Sequence, residues 1–216
     1  MKNILEKSLQ TAHSYVENKQ MVLELLKEGK STGINQNEDL FHFTKLNNQR
    51  MKRLDKQTKL NEESLTKTQK INKDFTWLVL TESWCGDAAQ TLPVINKFAE
   101  ANEKIDLKVV LRDENEELMN QFLTNGNKAI PKLIVVDNNS KEVVGSWGPR
   151  SAKAAKMVID YKEKHGKIDA KLKTDLQNWY NDDKGLNIEL EMVELINESF
   201  IDTLRKKLLW GEDKRN

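Results

Sequence analysis

A strand that runs directly into a cysteine-bearing helix start constrains the fold of this sequence more than any other feature. Residues 77–80 read Trp-Leu-Val-Leu, a continuous apolar run typical of a strand covered on both faces. Trp84, Cys85 and Gly86 follow at a turn, and the residues after them have the pattern of a helix. Because a helix start offers free N–H groups and a positive dipole, we expect the pKa of the Cys85 thiol to be lowered.

The 216 residues divide into three regions that differ in composition. Residues 1–74 are rich in lysine, asparagine and glutamate, and their apolar spacing predicts an N-terminal helical extension. Residues 75–165 alternate apolar runs with helical patterns in the order β-α-β-α-β-β-α, which predicts an α/β domain with one central sheet and helices on both faces. Residues 166–216 are helical in pattern again and predict a C-terminal α-helical extension that docks on the central domain.

Apolar periodicity also sets the expected bounds of the elements. The N-terminal region predicts a helical stripe that continues to Gly29, and then a second helix over residues 38–60 and a charged stretch up to Asp74. The central region predicts strands over residues 77–80, 107–111, 133–136 and 142–147, and helices over residues 85–102, 115–123 and 151–165. The C-terminal region predicts two apolar stripes, formed by Leu172, Leu176 and Trp179 and by Met192, Val193, Ile196, Phe200, Leu204 and Leu208.

Charge and hydropathy narrow the classes of partner. With 35 basic and 34 acidic residues the net charge is +1, so we expect no nucleic acid or membrane surface as partner. No window is apolar enough to span a bilayer, and the first residues lack the apolar core of a signal peptide, which predicts a cytoplasmic protein. Cys85 is the single cysteine, so no intramolecular disulfide can form. The sequence has no phosphate loop or dinucleotide fingerprint, and we expect no cofactor and no bound metal.

The element order and several residues within it resemble the thioredoxin fold. Residues 84–86 look like the start of the Trp-Cys-Gly-Pro-Cys active site, and Pro93 matches the proline that kinks the active-site helix. Ile130 and Pro131 match the cis-proline loop, which faces the reactive cysteine in that fold. Gly148 falls near the glycine that ends the last strand. The resemblance covers roughly residues 70–165 and rests on the joint spacing of these residues.

The whole chain is also similar to a narrower group, the bacterial thioredoxin family proteins with helical extensions and a Trp-Cys-Gly-Asp-Ala motif. Residues 48–55, 111–115 and 146–150 carry that similarity together with the motif itself. The similarity identifies relatives rather than a reaction.

The departures from the thioredoxin pattern form a coherent set. Ala88 stands where the resolving cysteine would be, and Asp87 replaces the proline of the motif. Val79 and Val109 occupy the places of the buried aspartate and its lysine partner, which the resemblance assigns to the chemistry of the second thiol. Because all the groups that serve a second cysteine are absent together, the sequence argues against ordinary dithiol activity.

A single-thiol redox protein is the leading functional hypothesis. A thiolate at Cys85 would attack a disulfide and form a mixed disulfide, which a protein or low-molecular-weight thiol would then release. We expect the Asp87 carboxylate to limit the lowering of the thiol pKa. The candidate catalytic residues are Cys85, Trp84, Gly86, Asp87 and Pro131. The candidate substrate-binding residues are Ile130, Trp84 and Arg112.

Two other hypotheses remain open. The chain could be a redox-inactive binding module that captures a peptide or protein at the cis-proline groove, where the Ile130 backbone would pair with an extended strand. The long charged helices, which an enzyme of this size does not need, motivate that alternative. Alternatively, the helices could form a homodimer that brings two Cys85 thiols together, since the sequence leaves the oligomeric state open.

Other charged residues near the predicted thiol have simpler interpretations. Glu82, Asp87 and Asp113 fall at strand ends or loops on one edge, and we interpret them as solvated carboxylates rather than as a metal site. Arg112 could attract an anionic thiol substrate, but an ion pair with Asp87 or Glu114 is the simpler expectation.

Overall fold

A computed structural model describes residues 1–198 and shows one mixed sheet between two sets of helices. The strands are β1 (His13–Ser14), β2 (Phe75–Thr81), β3 (Ile105–Leu111), β4 (Lys132–Asp137) and β5 (Glu142–Trp147). The helices are α1 (Lys2–Gln10), α2 (Tyr15–Lys27), α3 (Glu38–Gln57), α4 (Glu62–Gln69), α5 (Gly86–Ala101), α6 (Glu116–Met119), α7 (Ala152–His165) and α8 (Ala170–Asp183). Residues 186–198 are helical as well.

The sheet has the strand order β1-β3-β2-β4-β5, with β2 at its centre. β2 runs parallel to β3, with Val79 opposite Val109, and antiparallel to β4. Every residue of β2 and β4 is buried, as expected for strands that are covered on both faces. The predicted α/β class and the order β-α-β-α-β-β-α are confirmed, and the hairpin strand over residues 142–147 has the predicted bounds.

The prediction of one helical stripe up to Gly29 is wrong. The chain leaves the helix after Gln10, and His13 and Ser14 pair antiparallel with β3 at the edge of the sheet. Ser14 then caps α2 through a reciprocal capping box with Glu17, which starts a new helix with a different phase. Val16, an apolar residue that a single continuous stripe would have buried, is 74% exposed for this reason.

Three other element predictions need correction. The charged stretch before Asp74 contains α4, whose buried face consists of Ser64 and Thr68 and so has no apolar stripe to reveal it. The helix predicted over residues 115–123 is a single turn, Glu116–Met119. The helix predicted over residues 38–60 ends at Gln57.

The C-terminal helices dock on the central domain, as predicted. Leu172 and Leu176 of α8 are buried, and so are Met192, Val193 and Ile196 of the last helical stretch. Glu191 ties that stretch to β5 and α7, because its carboxylate accepts bonds from Trp147 Nε1 at 2.6 Å and from the Ala152 N–H at 2.7 Å. The remaining members of the second predicted stripe, Phe200, Leu204 and Leu208, lie outside the described residues.

The N-terminal helices are joined to each other by a buried polar contact. Tyr15 of α2 donates a hydrogen bond to Asp55 Oδ1 of α3 at 2.6 Å, and Lys19 forms an ion pair with the same carboxylate. None of the helices within residues 1–198 has the length and apolar character needed to cross a bilayer.

Candidate functional site

Cys85 caps the start of α5, where the sheet's central strand turns into the helix. Its Sγ accepts the N–H of Ala88 at 3.5 Å, as expected for a residue that takes the N-cap position. The thiol in turn donates to the carbonyl of Ile130 at 3.3 Å. The Ile130–Pro131 peptide bond is cis. The fold therefore brings together Cys85, Ile130 and Pro131, three of the residues that the sequence indicated.

The expected lowering of the thiol pKa is wrong. Cys85 is 8% exposed, and burial raises the pKa of its thiol to about 12. The negative charge of Asp87 acts in the same direction, while the N–H groups of Ala88 and Asp87 and the charge of Arg150 oppose it. The helix-start donors are present as predicted, but desolvation of the thiolate outweighs them. At neutral pH the group is a thiol, and it donates a hydrogen bond to the Ile130 carbonyl.

Helices from both extensions cover the cysteine turn. Asn47 of α3 donates from Nδ2 to the carbonyl of Ser83 at 3.0 Å. Gln177 of α8 accepts a bond from Gln90 Nε2 at 2.9 Å. These polar contacts fix the helices over the start of α5, and the sequence pattern did not indicate that they would lie there.

The space that remains beside the thiol is too small for a substrate. A cavity of about 20 Å³ lies between α2, α3 and α5 and is lined by Cys85 together with apolar groups that include Val22, Met51 and Leu92. Such a volume holds about one water molecule. A disulfide substrate or the Cys85 of a second copy can therefore reach Sγ only if the covering helices move.

Asp87, the second residue of α5, is buried and paired. Arg150 Nη2 lies 2.5 Å from Asp87 Oδ2, and the Tyr180 hydroxyl donates to Oδ1 at 3.0 Å. Burial raises the pKa of Asp87, and Arg150 and Tyr180 oppose that effect. The interpretation of Asp87 as a solvated carboxylate is therefore wrong, because Arg150, in the turn before α7, and Tyr180 of α8 supply a cation and a hydroxyl to a carboxylate that has little contact with water.

Arg112 pairs with neither of the carboxylates expected for it. Its Nη2 lies 2.7 Å from Asp113 Oδ1, and its guanidinium carbon lies 5.0 Å from the centre of the Trp84 ring. The cation and the aromatic ring therefore stabilise each other at the carboxyl ends of β2 and β3. The roles of Trp84 and Arg112 in substrate binding stay predictions.

Glu82 is also buried rather than solvated. Its Oε1 accepts the Asp113 N–H at 2.9 Å, and burial raises the pKa of the Glu82 carboxyl. Glu82 and Asp113 are thus neighbours, whereas Asp87 has Arg150 and Tyr180 as partners. Among residues 1–198, no three side chains of the kinds that ligate metals are grouped together.

The turn after β5 approaches the cis-proline loop closely. Gly148 has φ +110°, and a Cβ on this residue would stand 2.3 Å from the carbonyl oxygen of Pro131. The glycine that the resemblance placed at the end of the last strand is thus required by backbone conformation and by space. Ile130 and Pro131 are both buried, and the Ile130 carbonyl already accepts the hydrogen bond of the thiol.

Sequence reasoning missed four residues of this site. Tyr180 had a detectable signal, since it continues the four-residue spacing of Leu172 and Leu176 on the buried face of α8. Arg150 lies in a segment that carried the family resemblance but had no assigned role. Arg50 lies in another such segment, residues 48–55, and Gln177 had no signal in the local pattern; the side chains of both lie over Gly86.

Comparisons with known proteins agree with this fold. A protein of unknown function from Pseudomonas aeruginosa is 19% identical, with a TM-score of 0.54, over 86% of this chain and 98% of that chain. An HIV epitope scaffold is 18% identical, with a TM-score of 0.53, over the same shares of the two chains. These alignments extend beyond residues 75–165, so the likeness in fold includes flanking helices.

The curated relatives match over short segments. An NAD kinase of Christiangramia forsetii is 70% identical over 27 residues, and one of Flavobacterium johnsoniae is 58% identical over 33 residues. These segments are 12% and 15% of this chain, which spans only 9% and 11% of the length of the two kinases.

A family model described as thioredoxin matches residues 33–164, which is more than half of the chain. The matched range includes α3, the cysteine turn, the cis-proline loop and all of α7 but its last residue. The chain therefore belongs to the thioredoxin family.

Proposed function

We propose that this protein is a thioredoxin-fold binding module in which Cys85 serves as a buried hydrogen-bond donor rather than as a redox nucleophile. The observation that carries the proposal is the state of the thiol, which is covered, protonated and bonded to the Ile130 carbonyl. The loss of the second cysteine and of the groups that serve it supports the same conclusion. A protein or low-molecular-weight compound would be the partner, and the cytoplasm is the proposed location, since an unpaired thiol persists there.

The contacts of the thiol also bear on where a partner would bind. Strand addition at the cis-proline groove needs an accessible backbone, but Ile130 is buried and its carbonyl already accepts a hydrogen bond from the thiol. The start of α5 is a better candidate, because α3 and α8 bring polar side chains from both extensions to one place over Gly86. In this proposal, the helices that cover the thiol also form the binding surface.

A second candidate function is single-thiol exchange after the covering helices move. The favouring observation is the Ala88 N–H, which points at Sγ and would stabilise a thiolate once water reached it. In that reaction Cys85 attacks a disulfide and forms a mixed disulfide, and one thiolate of the substrate leaves. The thiolate of a second thiol then attacks the substrate sulfur of the mixed disulfide, which leaves in a new disulfide as the Cys85 thiolate is released and takes up a proton.

Exposure to oxidised glutathione separates the two functions. We expect the native protein at neutral pH to gain no glutathionyl mass, because the thiolate is scarce and covered, while the same protein in urea forms the adduct readily. Intact-protein mass spectrometry measures both, and Cys85→Ala is the control for adducts elsewhere. Rapid formation of a stoichiometric adduct on the native protein would favour single-thiol exchange over the binding module.

A further inference from the structure

Two donor groups, one from α3 and one from α8, face the same point over the start of α5. Arg50 Nη1 lies 3.7 Å and Gln177 Nε2 lies 3.6 Å from the position that a Cβ on Gly86 would take. Within residues 1–198, Gln177 Nε2 has no hydrogen-bond acceptor, since Gln177 meets Gln90 through its oxygen. Arg50 uses Nη1 to bond Asn47 Oδ1 at 2.9 Å, and its other N–H groups have no acceptor in the described chain.

The charge of Arg50 is uncompensated as well. The side chain is half-buried, and none of the carboxylates of residues 1–198 forms an ion pair with it or with neighbouring Arg53. Burial lowers the pKa of Arg50, and the like charge of Arg53 acts in the same direction. Asp87, the acidic residue next to Gly86 in the sequence, is already bound to Arg150. A partly desolvated cation without a counter-ion destabilises the free protein, and an anionic ligand would relieve that cost.

We propose that Arg50 and Gln177 form a binding site for a carboxylate above Gly86. A guanidinium and a primary amide are planar donors that match the planar carboxylate, and one uncompensated guanidinium next to the binding point suits a single negative charge. The carboxylate can belong to a small acid or to the end of a peptide. The inference deepens the proposed function, on which it rests, by naming the chemistry through which the binding module recognises its ligand.

Protein-observed NMR titrations of the full chain test the site with matched probes. The probes are succinate, N-acetyl-trialanine with a free terminal carboxylate, and the C-terminal amide of the same peptide. We expect the peptide acid to bind and the amide not to bind. Binding of succinate as well assigns the site to small acids in general, whereas binding of the peptide acid alone assigns it to a peptide terminus, and both results support the carboxylate site.

Three variants locate the binding. Arg50→Gln is expected to weaken the peptide acid about tenfold or more, because it removes the charge-assisted bond. Lys52→Gln, an exposed position on the same helix, removes the same charge and is expected to change affinity less than about twofold. Gly86→Ala is expected to fold normally, because its methyl group would meet nothing closer than 3.6 Å, yet to block the site.

Stability measurements distinguish a binding role of Arg50 from a role in holding the fold together. Without ligand, Arg50→Gln is expected to unfold at an unchanged or higher temperature, since it removes an uncompensated charge. Equal binding of acid and amide, absence of binding, or equal weakening by Arg50→Gln and Lys52→Gln would overturn the site. Cys85→Ala should bind the peptide acid normally, because the site does not use the thiol. A glutathione adduct on the native protein would therefore refute the non-redox role of Cys85 and leave the carboxylate site intact.

Discussion

Gly148→Ala is expected to lower the free energy of unfolding by about 4 kcal/mol. Two effects add at this position. The residue has φ +110°, a backbone conformation that is strained for alanine, and the new Cβ would stand 2.3 Å from the Pro131 carbonyl oxygen. Because that oxygen belongs to the backbone, either the end of β5 or the cis-proline loop must shift. Urea denaturation followed by circular dichroism measures the change.

Gly126→Ala is the matched control for the conformational part of that effect. Gly126 also has a positive φ, +75°, but a Cβ there would meet nothing within 4 Å. We therefore expect this variant to cost only about 1 kcal/mol from backbone strain. If the two variants lost equal stability, the close approach of Gly148 to Pro131 would be refuted.

Asp87→Ala is expected to lower the free energy of unfolding by about 3 kcal/mol. The substitution leaves the buried Tyr180 hydroxyl without its acceptor and Arg150 without its counter-ion. Breaking a fully buried ion pair would cost more than this value. The Arg150 side chain is 26% exposed, however, and solvent there reduces the penalty. Urea denaturation followed by circular dichroism measures the loss in the free energy of unfolding.

Asp160→Ala provides the control for loss of an acidic residue. Asp160 pairs with Lys156 on the outer face of α7, where both side chains are exposed. We expect this variant to lose less than about 0.5 kcal/mol. An Asp87→Ala protein as stable as Asp160→Ala would contradict the buried pairing that joins α5 to Arg150, in the turn before α7, and to α8.

The central sheet was predictable because its signals are local. The apolar run that begins at Trp77 lies within β2, and residues 142–147 form a strand with the expected bounds, since each pattern needs only its own residues. β1 could not be found in this way, because a two-residue strand shows no periodicity. α4 could not be predicted from apolar periodicity, because small polar residues, Ser64 and Thr68, form its buried face.

Only part of the candidate site could be predicted from the sequence, because some of its features depend on residues that are distant along the chain. The position of Cys85 at a helix start, and its closeness to Pro131, follow from the segment itself and from the family resemblance. The direction of its pKa shift depends instead on α3 and α8, which are distant in sequence and cover the turn through contacts such as Asn47 to Ser83. A local pattern contains the donors that lower a thiol pKa, but it does not contain the desolvation that raises it.

The pH dependence of Cys85 alkylation by iodoacetamide shows directly whether the thiol is protonated and covered in the native protein. Rates would be measured by mass spectrometry on the native protein and on the same protein in urea. Since burial raises the thiol pKa to about 12, we expect native alkylation to rise with pH without a midpoint below about pH 9. At neutral pH it should be at least about a hundredfold slower than in urea. A native midpoint below about pH 8, with a rate equal to that of the unfolded chain, would show an active thiolate and contradict the proposal that Cys85 is a covered, protonated thiol.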